Sequence, residues 1–208
     1  MTMMLLFLLS SLSALVMAVS LPNIIVRVEK NVISQCDDLK PSRETTPPMY
    51  PLAAVALLNI APVFYWFNPE QGYLSGGLFL LSVLSYIDIV RRWVPDCLIF
   101  LFSGVSVYGV ASGTIGPSPE EAFMATGLFV FPFIVINGFS WLKKKVGVFA
   151  SGDIYIALSI GLWLDTTTAV MVAGLSILLA WLYGSVFRQP HFPFIPFLLF
   201  SFLMNGFI

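Results

Sequence analysis

Two carboxylates stand out as groups that could do chemistry in an otherwise apolar chain. Asp88 lies in Ser85-Tyr86-Ile87-Asp88-Ile89-Val90 and Asp153 in Ala150-Ser151-Gly152-Asp153-Ile154-Tyr155. Ionisable groups within or at the ends of membrane spans are costly, and their presence points by default to function. Two carboxyls held at one depth can perform acid–base hydrolysis. The ionised member takes a proton from water, and the protonated member donates to the carbonyl under attack. Such a pair titrates as a unit, so neither role belongs to one residue from sequence alone. Gly152 removes a Cβ beside Asp153, where a substrate backbone could approach. The plainer alternative is that each Asp caps a helix or pairs with a nearby cation such as Arg91. Asp96, after Pro95, suits the N-terminus of a helix, where Pro and Asp are both favoured. It is read first as a structural cap and second as a supporting group.

The elements that must position these residues are membrane helices. Of 208 residues, 58% are hydrophobic, 15% aromatic and only 10% charged, with 19 Phe. Mean hydropathy is +0.92. A soluble domain could not bury this much apolar surface, since a large share of its residues must face water. Runs of about 20 apolar residues mark spans. Eight are expected, near Met4–Val26, Tyr50–Phe67, Tyr73–Val90, Trp93–Ala111, Ala122–Leu142, Val148–Leu164, Thr167–Phe187 and Phe192–Ile208. The expected fold is therefore all-α and polytopic, a single integral-membrane domain over 1–208, with 27–49 as a short cytoplasmic loop.

Charge placement supports that count. All ten Lys and Arg residues fall in the first, third, fifth and seventh loops. The second, fourth and sixth loops carry only Glu70, Glu120, Glu121 and Asp165. Basic loops stay cytoplasmic, which sends both termini outward and puts Asp88 and Asp153 just inside the cytoplasmic interface. The first span is expected to be retained, since Met1–Ser20 lacks the basic start of a cleaved signal peptide. Two cysteines, Cys36 and Cys97, and one histidine, His191, are too few for a structural zinc site. Lys143–Lys145 reads as a topology signal, and Asp37, Asp38 and Glu44 as a solvated loop or a contact for a basic peptide.

These motifs resemble the bacterial type IV prepilin peptidases. Asp88, six residues, then Pro95-Asp96 is similar to their first aspartate motif. Ser151-Gly152-Asp153 followed by Ile160-Gly161-Leu162-Trp163-Leu164 is similar to their GxGD segment and the helix after it. Tyr50-Pro51-Leu52 and Pro193–Leu198 resemble segments of the second and last spans. The resemblance implies an inner-membrane aspartyl protease with Asp88 and Asp153 as catalytic pair, and Gly152, Asp96 and Pro95 in support. It implies pilin and pseudopilin precursors as substrates, serving pili or type II secretion; apart from the resemblance, no metal ligand set and no nucleic-acid partner is expected. Many members also methylate the new N-terminus from S-adenosylmethionine, and that cofactor is expected only where methylation is retained. There are departures. Ala150 replaces the first Gly of GxGD, Tyr155 a Lys, and Ala53-Ala54 an acidic residue, while the domain with two CxxC pairs is absent. A transporter coupling protons or cations through the two aspartates is the alternative from another class, and a non-catalytic assembly subunit is a third.

Overall fold

A computed structural model describes residues 2–35, 50–92, 94–115, 117–143, 147–187 and 192–205. The described chain is helical throughout, an all-α membrane protein. The helices are α1 (Thr2–Gln35), α2 (Pro51–Leu58), α3 (Ile60–Phe67), α4 (Gly72–Arg91), α5 (Asp96–Ala111), α6 (Pro119–Leu142), α7 (Ser151–Gly161), α8 (Thr166–Phe187) and α9 (Ile195–Asn205). Helices α4, α6 and α8 are long and apolar enough to cross a membrane by themselves. The expected second span is broken at Asn59, whose amide bonds the Ser10 and Ser11 hydroxyls of α1 and the Val55 carbonyl. An amide that would otherwise lie unpaired in lipid thus fastens the kinked rod to α1.

The expected loop over 27–49 begins later than the polar residues suggest. Helix α1 continues to Gln35 because no Gly or Pro interrupts Asn23–Gln35 to stop it. The readings for Cys36, Asp37, Asp38, Glu44, Trp93, Lys144, Lys145, Arg188 and His191 lie outside the described residues.

Helix α4 is the axle of the bundle. In its most apolar stretch 61% of residues are buried, against 39% in α6 and 22% in α8. It packs on α3, α5 and α9, while α6 packs on α7 and α8. Small residues let these helices approach. A Cβ on Gly77 would sit 2.4 Å from the Trp163 indole, which stacks on Tyr73 and Phe102 and donates from Nε1 to Ser106 Oγ at 2.6 Å. A Cβ on Gly161 would sit 2.7 Å from the Thr126 Cα of α6. Gly→Ala in a helix ordinarily stabilises by up to about 1 kcal/mol. Here the sign is expected to reverse. Gly161→Ala must push α6 and α7 apart, costing about 1–3 kcal/mol, which thermal unfolding in detergent would register as a lower midpoint.

Helix α8 begins with a built cap. The Asp165 carboxylate accepts from the Thr167 and Thr168 N–H groups, both at 2.9 Å, and from the Thr168 hydroxyl at 2.6 Å. The Thr168 hydroxyl above all, then the backbone donors, hold the Asp165 carboxyl below its ordinary value. A folded value below the unfolded one means the stabilisation is complete above the ordinary carboxylate range and lost as pH falls through the lowered value. Asp165→Ala is expected to cost about 1 kcal/mol at neutral pH. A thermal melt would show a midpoint about 2–4 °C lower, and the difference from wild type should shrink only in strong acid.

Candidate active site

Asp88 lies one turn from the end of α4. It is 5% exposed, an uncommon degree of burial for a carboxyl. Its Oδ2 accepts from the Ile195 N–H at 3.0 Å, and the Phe194 N–H also faces it. Ile195 opens α9, so the free donors of a helix N-terminus are aimed at the carboxylate. The helix carrying Asp88 ends at once. Arg92 turns into the left-handed region at φ 53° and donates its N–H to the Asp88 carbonyl at 2.7 Å. A non-glycine residue there costs about 1 kcal/mol or more. The Arg92 charge acts on Asp88.

Asp153 sits in the first turn of α7 and is half-buried. Its Oδ2 accepts from the Ala150 N–H at 3.1 Å. This is the return bond of a capping box without its partner, because Ala150 has no side-chain acceptor. The helix-capping alternative is thus part of the geometry. It does not exhaust it, because Asp153 also lies within electrostatic range of Asp88. Two carboxyls from helices far apart in sequence thus lie within electrostatic range of each other.

The other sequence candidates do not converge on this pair. Pro95 occupies the cap position of α5, and Asp96 is exposed in the first turn. Among the described residues no hydrogen bond joins Asp96 to either carboxyl. An added Cβ on Gly152 would lie 3.3 Å from Ile99 Cδ1 of α5. Gly152 therefore lets α7 seat against α5. The hydroxyls of Ser103 and Ser159 bond at 2.7 Å across the same pair of helices.

One contributor escaped the sequence reading. Asn137, on α6, is 3% exposed and bonds the backbone of Phe149, at the end of the loop that leads to Asp153. A lone Asn in a Phe-rich helix gives no periodic signal. Its cost in an apolar setting is the only hint the sequence holds.

Residues 76–185 match the family model described as the type IV leader peptidase family. The chain belongs to this family. The match runs from α4 into α8 and includes both Asp88 and Asp153. No curated protein and no solved structure matches the chain. As a leader peptidase family member, the protein is placed among membrane peptidases acting on protein substrates.

Proposed function

We propose that the protein is an intramembrane aspartyl endopeptidase that removes the short basic leader from type IV prepilins or pseudopilins. The observation that carries this reading is that Asp88 and Asp153 lie within electrostatic range of each other, in a chain of a leader peptidase family. The pair would share one proton. The ionised carboxyl takes a proton from water, and the resulting oxygen nucleophile adds to the scissile carbonyl. The other carboxyl protonates the carbonyl oxygen, giving a neutral tetrahedral intermediate. Collapse breaks the C–N bond, returns a proton from the intermediate to the site and releases the amine with one of its own. The Ile195 and Ala150 N–H groups hold one oxygen of each carboxyl and leave the other for this exchange.

The segregation of Lys and Arg into alternate loops supports a bacterial inner-membrane protein of many passes, with the pair near the cytoplasm. Cleavage would fall between the basic leader and the apolar helix that follows, where such a substrate crosses the interface. Family membership favours hydrolysis over the transporter alternative.

The test is purified protein in liposomes with a synthetic prepilin, read by product mass. The expected product lacks the leader. A second arm with S-adenosylmethionine shows one added methyl mass where N-methylation is retained. An intact substrate under conditions where a reference prepilin peptidase cuts it to completion would refute the prepilin assignment.

A further inference from the structure

We infer that Asn137 is a positioning residue for the two-aspartate site, acting on both carboxyls at once through the packed rings of Phe149 and Phe194. The inference rests on the proposed role of Asp88 and Asp153.

The first part concerns a single peptide plane. Asn137 Nδ2 donates to the Phe149 carbonyl at 2.9 Å, and the Phe149 N–H donates to Asn137 Oδ1 at 2.9 Å. The Phe149 carbonyl and the Ala150 N–H belong to one planar unit. That unit is therefore held at its oxygen by Asn137 and at its N–H by Asp153 Oδ2. A trans peptide points these groups in opposite directions, so Asn137 sets the aim of the bond that holds Asp153. The clasp has little room to drift. A Cβ on Gly147 would lie 3.3 Å from both the Cγ and Oδ1 of Asn137.

The second part joins the two carboxyls. The donor to Asp153 belongs to the residue after Phe149, and the donor to Asp88 belongs to the residue after Phe194. The Phe149 and Phe194 rings are 4.7 Å apart, centre to centre. Both meet Phe133 of α6 edge to face, at 5.1 Å and 5.5 Å. All three rings are buried, with exposures of 6%, 2% and 1% for Phe149, Phe194 and Phe133. Packed rings resist independent motion. A shift of the Phe149 peptide therefore presses on Phe194 and moves the Ile195 donor, and Asp88 with it. One amide on α6 thus governs the separation of two carboxyls borne by α4 and α7.

The competing account is that Asn137 only satisfies a loop backbone that water cannot reach. The two differ in kinetics and in amide exchange. The full chain in detergent is compared as wild type, Asn137→Leu, Phe194→Leu and the double variant. Phe194→Leu leaves the Asn137 bonds intact, which keeps the test open if Asn137→Leu folds poorly. Misplacing a reacting group by about 1 Å can cost about 100-fold. Each single variant is therefore expected to lower kcat for prepilin cleavage by about 10- to 100-fold with KM near wild type. The double variant should lose little more than the worse single, as residues acting through one device do. Hydrogen exchange by mass spectrometry should show the Ala150 and Ile195 amides opening faster together in Asn137→Leu, with α8 unchanged. Wild-type kcat per folded molecule, or faster exchange confined to 147–150 with Ile195 unaffected, would overturn the inference. If wild type cleaves no prepilin, the prepilin assignment fails, and the exchange arm still decides whether the two donors are coupled.

Discussion

Asp88→Asn and Asp153→Asn are each expected to reduce leader cleavage by at least about 1,000-fold while leaving the protein folded. General acid–base catalysis by one positioned group contributes about 10²–10⁴-fold, and here each carboxyl serves as both acid and base within one turnover. Asparagine is nearly the same size and keeps an acceptor oxygen. The Ile195 and Ala150 N–H groups therefore retain their partners at 3.0 Å and 3.1 Å. Helix N-termini and packing should survive, and only proton exchange is lost. The double variant should be scarcely slower than either single, because the pair acts as a unit. Cleavage rates on prepilin, measured beside thermal midpoints, check this. A wild-type rate in either single variant would end the paired-aspartate mechanism.

The second large effect is expected at Phe133. This ring is 1% exposed and touches Phe129, Phe149 and Phe194. In a soluble protein Phe→Ala would cost about 3–5 kcal/mol, part of it from transfer to water. Lipid is as apolar as the interior, so the transfer part largely vanishes here and the packing part stays. Removing roughly 100 Å³ at about 24 cal/mol per Å³ of cavity leaves about 2 kcal/mol. Phe133→Ala should lower the midpoint of unfolding in detergent by several degrees, on the order of 2–4 °C per kcal/mol. Cleavage measured well below that midpoint should fall further than the unfolded fraction explains, because both donor loops lose their shared support. Activity that simply follows the folded fraction would show Phe133 to be packing alone.

The helices were legible because lipid demands long apolar runs, and the alternation of Lys and Arg between loops led to the expected eight spans. The broken rod at Asn59 was not, since a polar residue in an apolar run does not announce its partner. The start of the 27–49 loop was placed too early because polarity was taken for a helix end. No Gly or Pro falls between Asn23 and Gln35, and the helix runs on through the polar residues. Asp88 and Asp153 stood out by charge in an apolar chain, and the expected sidedness of the basic loops assigned them one depth. That Asp88 would take its donor from α9 depends on the packing of α4 against α9, a contact between distant parts of the chain. Gly152 was expected to open space for a substrate, and the sequence did not show that Ile99 of α5 comes close to it. Spacing along one helix says nothing about what a neighbour inserts.

The short length of α7 has a consequence for the lipid itself. It has 11 residues, about 16 Å of helix, against a hydrocarbon core of about 30 Å. Lipid beside so short a helix thins, or polar groups bridge the gap. This is the helix that bears Asp153. Under the proposed function, the thin place lies where hydrolysis needs water, and the thickness of the surrounding lipid becomes part of the reaction's solvent supply.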